Sequence, residues 1–217
     1  MAEWLKKVNC KYVLVMCIGN VVIGLGVAIF KLFGLGNDPF SGMAMALANK
    51  AGIEYAVLVI WINLILFVVE LLFGRKLIGL GTIINATLLG YFATFFYNLM
   101  VAVAGVPDNM AQRVIIVCIG VVVISLGVSL YQLPNQGVAP YDSLSLIMSE
   151  RWPKIPYFWH RFSNDGLCAI ICWLSGGIVG LGTVLGAFGL GPFIHFFNKH
   201  VTSKILERLG NRCVSEK

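Results

Sequence analysis

The sequence predicts an all-α integral membrane protein with six transmembrane helices arranged as two inverted three-helix repeats. Three observations lead to this fold class. First, 59% of the 217 residues are hydrophobic and 12% are charged, which leaves too little polar side chain to cover a soluble globule. Second, six apolar runs reach the roughly 20 residues that cross a bilayer as a helix. Third, the two halves of the chain align with each other.

The predicted spans occupy nearly the whole chain and leave no room for a soluble domain. The first span resembles a signal peptide, because basic residues precede it. Its apolar run is longer than such a leader allows, and Gly24-Leu-Gly26 stands where an Ala-x-Ala cleavage site is expected. We therefore interpret it as a retained helix of a single membrane domain over residues 1–217. The predicted spans cover about residues 12–33, 55–73, 78–103, 114–133, 156–175 and 178–198.

Basic residues collect on one side of the membrane if the six spans alternate in direction. The opposite side keeps only Lys31, Lys50 and Arg113. This positive-inside pattern places both termini in the cytoplasm, with residues 206–217 as a cytoplasmic tail. The net charge of +6 then reflects topology and attraction to membrane lipids, and does not indicate a nucleic-acid partner. The basic residues of the cytoplasmic side are Lys6, Lys7, Lys11, Arg75, Lys76, Arg151, Lys154, Lys199, Lys204, Arg208, Arg212 and Lys217.

The second half of the chain repeats the first at a constant offset of 101 residues, as between Pro39 and Pro140. The repeats cover about residues 10–104 and 111–205, and each contains three spans. Because three is odd, the second repeat starts from the opposite side of the membrane, and the two are predicted to be inverted. Further matches pair Leu25-Gly-Val27 with Leu126-Gly-Val128, Asn63 with Asn164, and Gly79-Leu-Gly-Thr82 with Gly180-Leu-Gly-Thr183.

A short helix is predicted after the first span of each repeat. Asn37 or Asp38 is a suitable N-cap for a helix that begins at Pro39. In the second repeat Pro140 takes this role, and Asp142 lies in the first turn, where an acid suits the helix dipole. About a dozen residues reach only roughly 18 Å. Each short helix is therefore either a re-entrant half-helix or an interfacial helix, and paired re-entrant helices would form a polar site between the repeats.

Short motifs follow one another in a fixed order along the first repeat. They read Gly36-Asn-Asp-Pro39, then Arg75-Lys76, then Gly79-Leu-Gly-Thr82 with Asn85 three residues on. This order resembles that of the YczE/YyaS/YitT-type bacterial membrane proteins over essentially the whole chain. Members commonly carry an aromatic residue and an acid after the proline, which Tyr141-Asp142 keeps and Phe40-Ser41 does not. The resemblance implies a bacterial cytoplasmic-membrane protein without an assigned substrate. Some relatives are encoded near regulators of the pyridoxal-phosphate-dependent type, which makes vitamin B6 a guess for the substrate.

Three acids are candidate substrate-binding residues. Asp38 and Asp142 begin the short helices and would lie near the repeat interface, although each could instead cap its helix at the headgroup level. Asp165 lies within the fifth span, where ionisable residues are costly and often functional. It could bind a cation or carry a coupled proton, or it could form a structural pair with Arg161 at i,i+4 spacing.

Other candidates are uncharged residues inside the predicted membrane domain. Asn63 and Asn164 fall near the middle of equivalent spans and could bind substrate or hydrogen-bond between helices. Tyr141 is expected to line a pocket for a planar ligand. His195 could relay protons together with Asp165, or it could be a packed, hydrogen-bonded residue.

Two further features are interpreted structurally. Glu70 is given little functional weight, because Arg75 and Lys76 follow it in the sequence and their long side chains can reach the inner membrane surface. Cys168 and Cys172 share a helix face and could hold a soft metal, but we interpret them as small residues that fill the membrane core.

The sequence shows no nucleophile paired with a base, no metal-ligand cluster and no nucleotide loop, so we expect no catalysis, no metal and no cofactor. The leading prediction is a small-molecule transporter whose substrate, a cationic, zwitterionic or neutral vitamin-like compound, binds between the repeats. One alternative is a passive aquaporin-like channel, although Asp38 and Ala139 stand where that family has Asn before the proline. Another is a substrate-binding or regulatory subunit that needs a partner. A homo-oligomer is left open.

Overall fold

The computed structural model describes residues 10–34, 36–105 and 109–209. Lys6, Lys7, Arg212 and Lys217, which entered the topology prediction, lie outside the described residues. Within the described part the chain forms nine α-helices and no strand. A 3-10 turn, Arg75–Leu77, follows α3, and a π-helical turn, Asn198–Thr202, joins α8 to α9. The helices are α1 Cys10–Phe33, α2 Pro39–Ala51, α3 Tyr55–Phe73, α4 Leu80–Ala104, α5 Met110–Gln132, α6 Pro140–Arg151, α7 Tyr157–Leu174, α8 Leu181–Phe197 and α9 Ser203–Arg208.

Among the residues that the structure describes, five stretches are long and apolar enough to cross a membrane by length and composition. They coincide with the predicted first, second, third, fourth and sixth spans. The predicted fifth span is helical as α7, but it lacks the overall apolar composition of the others, because its first half contains Arg161 and Asp165. The five stretches are Cys10–Leu32, Tyr55–Phe73, Leu80–Val103, Met110–Gln132 and Leu181–Arg208.

Both short helices begin at the predicted prolines, which confirms that part of the sequence interpretation. Pro39 is the first residue of α2, and the side chain of Asp38 accepts a hydrogen bond of 3.1 Å from the backbone N–H of Ser41. Pro140 is the first residue of α6, and Asp142 lies in its first turn. At 13 and 12 residues, the two helices are too short to cross a bilayer.

Helices α1 and α5 form the centre of the molecule and cross in close contact. A Cβ added to Gly19 of α1 would lie 2.6 Å from the backbone nitrogen of Tyr131. A Cβ added to Gly127 of α5 would lie 2.7 Å from the backbone nitrogen of Ile23. Small residues that allow such close approach are a common basis of helix association in membranes. Helix α4 packs on α1 and α8 packs on α5, so the outer helices surround this central pair.

Each short helix packs against helices of the other half of the chain. Helix α2 packs on α7, and α6 packs on α3. The loop before each short helix also contacts the other half of the chain. A Cβ added to Gly36 would lie 2.7 Å from Oγ1 of Thr183. Likewise, a Cβ on Gly137 would lie 2.7 Å from Cα of Gly79. The two Gly-Leu-Gly-Thr motifs therefore provide the small surfaces on which the opposite loops rest.

Candidate binding cavity

An internal cavity lies where the two short helices approach α1, α5 and α7. About 70 Å³ of it is accessible to the centre of a water molecule. Since roughly 10–15 Å³ by this measure holds one water, the cavity can take several waters or the polar part of a small solute. Residues from both halves of the chain line it. The polar lining consists of Asp38, Ser41, Asn63, Asn85, Tyr131, Tyr141, Asp142, Arg161 and Asp165.

Arg161 of α7 bridges two of the predicted acids. One of its guanidinium nitrogens, Nη1, forms an ion pair with Oδ1 of Asp142 on α6. Its Nε lies 3.5 Å from Oδ2 of Asp165, so the expected i,i+4 contact is present. The side chains of Arg161, Asp142 and Asp165 are 24%, 10% and 6% exposed. Two buried carboxylates thus share one guanidinium.

A tyrosine hydroxyl donates to each of these carboxylates. Tyr131 of α5 donates to Oδ2 of Asp142, and Gln132 donates to the same oxygen over 3.1 Å. Tyr141 donates to Oδ1 of Asp165 over 2.5 Å. Hydrogen bonds to a carboxylate stabilise its ionised form. The network therefore holds both acids next to Arg161 and fixes the orientation of α6 against α5 and α7.

Asp38 presents an unused acceptor to the cavity. Its Oδ2 accepts the capping hydrogen bond from Ser41, whereas its buried Oδ1 has no hydrogen-bond partner among the described residues. Burial raises the pKa of the Asp38 carboxyl, and the hydrogen bond from Ser41 offsets part of that rise. An unpaired buried acceptor is costly unless a ligand or water satisfies it. Asp38 is therefore available both as a helix cap and as a ligand contact.

Aromatic rings cover one wall of the cavity. Phe40 and Tyr141 are stacked with ring centroids 4.5 Å apart and an interplanar angle of 27°. The guanidinium of Arg161 lies 5.2 Å from the centroid of the Tyr141 ring. This wall suits a flat or cationic group, because ring faces attract both. Tyr141 lines the cavity, and its predicted contact with a planar ligand stays a prediction.

The two predicted asparagines lie in different surroundings and do not bond to each other. Asn63 lines the cavity and donates to the carbonyl of Ala86 on α4 over 3.4 Å. Asn164 donates to Oγ of Ser145 on α6 over 2.9 Å and is not among the lining residues. The contact of Asn164 is the interhelical hydrogen bond that was the alternative interpretation. His195 is exposed on α8 and does not line the cavity, so the geometry adds nothing to its predicted relay role.

Sequence reasoning missed several polar residues around the cavity. Tyr131 was overlooked because it ends an otherwise apolar span. Asn20 and Asn85 are joined by a buried hydrogen bond of 2.6 Å from Nδ2 of Asn85 to Oδ1 of Asn20. The available signal was that Asn20 interrupts the first apolar run and Asn85 the third.

The basic residues that follow Glu70 in the sequence, Arg75 and Lys76, do not pair with it. Glu70 is 0% exposed, and neither of its carboxylate oxygens has a hydrogen-bond partner among the described residues. Arg75 instead donates to the carbonyl of Leu71 over 2.9 Å, and Lys76 pairs with Glu150 over 2.7 Å. The two cations are engaged at the surface and leave the acid buried.

Cys168 and Cys172 belong to a small apolar cluster with Phe40, Met43 and Tyr141. Both are free thiols. Sγ of Cys168 lies 3.7 Å from the hydroxyl of Tyr141, so this cysteine packs directly behind the aromatic wall. This placement agrees with their interpretation as small residues that fill the core.

A second and larger pocket is lined by Gly36 and Asn37 of the loop that also carries Asp38. About 370 Å³ of it is accessible to the centre of a water molecule. Asn37 and Tyr55 line it, and Oδ1 of Asn37 and the Tyr55 hydroxyl are buried without hydrogen-bond partners among the described residues. The loop of residues 36–38 thus contributes to both the wide pocket and the narrow inner cavity.

Long apolar helices around a buried polar cavity define a membrane protein of the multi-helix class. The chain belongs to a family of unknown function (DUF6198), whose sequence pattern matches residues 10–199. The resemblance to YczE- and YyaS-type proteins is thereby confirmed. The uncharacterized membrane protein YczE of Bacillus subtilis is 26% identical over 82% of this chain and 81% of its own length. The uncharacterized protein YyaS of the same species is 26% identical over 86% of this chain and 94% of its own length.

A third similar protein is an uncharacterized protein of Haemophilus influenzae, 26% identical over 81% of this chain and 78% of its own length. No solved structure matches the chain. The relatives therefore establish the family and the membrane class. Because they are uncharacterized, a function can be proposed only from the chemistry of the cavity.

Proposed function

We propose that this protein is a non-catalytic small-molecule transporter of the bacterial cytoplasmic membrane. Its ligand binds in the inner cavity, between two inverted three-span repeats that rock against each other to give alternating access. The observation that carries the proposal is the cavity itself, which both halves of the chain line and which contains three acids and one arginine. Buried ionisable groups at membrane depth are costly, and they commonly mark substrate or ion pathways.

The pattern of exposed residues on α7 supports its assignment as the fifth of six spans. Its polar residues Arg161 and Asp165 point into the cavity and are largely buried. Its large exposed side chains are apolar or aromatic, as in Leu167, Ile170 and Trp173. A helix with a polar face toward protein and an apolar face outward suits a lipid-exposed position in a bundle.

The exchange of short helices between the halves supports the inverted repeat. Helix α2 packs on α7, and its counterpart α6 packs on α3. The equivalent residues Phe40 and Tyr141 stack on each other between the two short helices. A twofold relation between repeats predicts contacts of this reciprocal kind. The loops at Gly36 and Gly137 repeat the pattern on the two Gly-Leu-Gly-Thr motifs.

Two surface contacts support the positive-inside topology. Nζ of Lys11, near the start of α1, donates to the carbonyl of Leu209 at the end of α9 over 3.2 Å. Lys76 after α3 pairs with Glu150 near the end of α6 over 2.7 Å. All four residues lie in segments that the topology assigns to the cytoplasmic side. The contacts bring together segments that are distant in sequence but share a predicted side.

The charges of the cavity favour a cationic or zwitterionic ligand. Asp142 and Asp165 share Arg161, whereas Oδ1 of Asp38 has no partner among the described residues. The stacked rings of Phe40 and Tyr141 add a surface for a planar or cationic group. A small vitamin-like amine satisfies both features. Membrane lipid and this ligand are the partners that the proposal requires.

The test is a thermal-shift screen of the detergent-purified protein against vitamins, including B6 vitamers, amines, amino acids and nucleobases. A ligand that binds only the folded protein raises the melting temperature by mass action. We expect Asp165→Asn to weaken the shift produced by a hit. The exposed Glu54, which is not among the residues that line the cavity, provides the matched control Glu54→Gln, and this variant should retain the shift.

A second measurement separates a carrier from the alternatives. Purified protein reconstituted in vesicles should show saturable counterflow of the stabilising compound, because a carrier exchanges ligand across the membrane. Flux without saturation or counterflow would instead indicate a channel. Stabilisation without any flux would indicate a binding subunit that requires a partner.

A further inference from the structure

Glu70 is a buried acid that the proposed binding site does not use. It is fully buried in α3, both of its carboxylate oxygens lack a hydrogen-bond partner among the described residues, and it does not line the cavity. An ionised carboxylate in such surroundings is strongly unfavourable, so burial favours the neutral acid. The charge of Glu70 can therefore change when the proton concentration around the protein changes.

Among the described residues, no basic side chain forms an ion pair or hydrogen bond with Glu70. Helix α3 packs against α2, α4, α6 and the 3-10 turn. Helix α6 carries Asp142, which has the same charge as ionised Glu70, and Ser143, whose hydroxyl donates to the carbonyl of Pro140 over 2.8 Å and not to Glu70. Helix α4 contains no Asp, Glu, Lys or Arg, and the charged side chains of the other two elements are exposed at their surfaces; these are Lys50, Arg75 and Lys76.

The position of Glu70 links the cavity to one membrane side. Asp142, which lies on the α6 helix that packs against α3, is the residue that pairs with Arg161 in the cavity. Glu70 also lies in the last turns of α3, shortly before the Arg75–Lys76 pair that the proposed topology places in the cytoplasm. The acid therefore stands between the ligand site and the inner surface.

We propose that Glu70 is a proton-binding site that couples the cavity to the cytoplasmic proton supply. A proton from water binds one carboxylate oxygen and is later returned to water, with no other bond made or broken. Ionisation of Glu70 adds a negative charge on the helix that packs against α6, which carries Asp142, and so changes the balance of the Asp142–Arg161 pair. The role in transport rests on the proposed function, whereas the protonation of Glu70 does not.

The test is infrared difference spectroscopy on the full chain in lipid, with no organic ligand present, while the pH is stepped from acidic to alkaline. We expect a carboxylic-acid carbonyl band at neutral pH that disappears reversibly as the pH rises. The isosteric Glu70→Gln should lack this band, and the exposed Glu54→Gln should keep it. Absence of a band that depends on Glu70, or a band that ignores pH, would overturn the proposal.

A second variant tests the coupling to the ligand site. Asp142→Asn removes the like charge and leaves Arg161 less neutralised, and both changes favour ionised Glu70. The Glu70 band should then disappear at a pH about one unit lower than in the unmodified protein. If the pH at which the Glu70 band half disappears is unchanged in the folded variant, the coupling is refuted. A ligand screen without a hit would weaken only the proposed transport and not the protonation of Glu70.

Discussion

Phe40 stacks directly on Tyr141, and the two residues occupy equivalent positions of the two halves of the chain. Each follows the proline that begins a short helix, so the stack joins the N-terminal ends of α2 and α6. The second repeat adds a hydroxyl to its ring, and that hydroxyl donates to Asp165. Ser41 stands where the second repeat has Asp142, so the first repeat loses the acid of the aromatic–acid pair, whereas Phe40 keeps the aromatic contact.

Phe40→Leu should weaken binding of aromatic ligands more than binding of aliphatic ones. The substitution keeps an apolar side chain but removes a ring contact worth about 0.5–1.5 kcal/mol, or up to about tenfold in affinity. Titration of both ligand types by calorimetry measures the difference. Phe162→Leu is the control, because Phe162 packs on Phe188 with centroids 5.1 Å apart and does not line the cavity. Equal losses for the two ligand types would contradict an aromatic ligand wall.

Arg161→Gln should destabilise the fold strongly. It leaves Asp142 and Asp165 buried without their shared cation, and breaking a buried ion pair from one side costs about 3–5 kcal/mol. The double variant Arg161→Gln with Asp142→Asn should recover part of this loss, because it also removes one unpaired charge. Thermal unfolding in detergent measures both. A double variant less stable than Arg161→Gln alone would argue against the charge network.

The sequence was sufficient for features that depend on local chemistry. Proline with a preceding cap residue determined where α2 begins, and apolar runs determined five long helices. The pairing of Asp142 with Arg161 and Tyr131 could not be read from the sequence, because it depends on how α6 sits between α5 and α7. The same limit applies to Asn63 and Asn164, whose partners lie on α4 and α6. Equivalent sequence positions do not ensure equivalent neighbours.

Gly36→Ala should cost more stability than Gly52→Ala. Both glycines have a positive φ, 94° and 66°, so each substitution introduces backbone strain of about 1–3 kcal/mol. At Gly36 the added Cβ would also meet Thr183 Oγ1 at 2.7 Å, whereas at Gly52 it would meet nothing within 4 Å. The difference in melting temperature between the two variants isolates the contact between the loop and the Gly-Leu-Gly-Thr motif. Equal losses would mean that this contact contributes little.

Lys50→Cys and Arg151→Cys should be labelled from opposite sides of the membrane. The two positions are equivalent in the repeats, and both are exposed at the ends of α2 and α6. In a background without the six natural cysteines, a membrane-impermeant maleimide should modify Lys50→Cys in intact cells. It should modify Arg151→Cys only in inside-out vesicles. Labelling of both from one side would exclude the inverted arrangement.

Asp38→Asn should separate the two roles of Asp38. Asn caps a helix about as well as Asp, so the hydrogen bond to Ser41 and the start of α2 should persist. Because burial raises the pKa of Asp38 above its unfolded value, ionisation of this acid lowers stability as the pH rises. The neutral variant avoids that loss and should be at least as stable as the unmodified protein at neutral pH.

Binding of a cationic ligand should nevertheless fall by about tenfold or more in Asp38→Asn, because a charge-assisted contact to a buried carboxylate is lost. Asp38→Ala is the comparison, since it removes both the charge and the cap and should also lose about 1 kcal/mol of stability. Melting temperature and ligand titration, measured on the same samples, report the two roles independently. Unchanged affinity in Asp38→Asn would leave Asp38 as a helix cap alone and would remove it from the binding site.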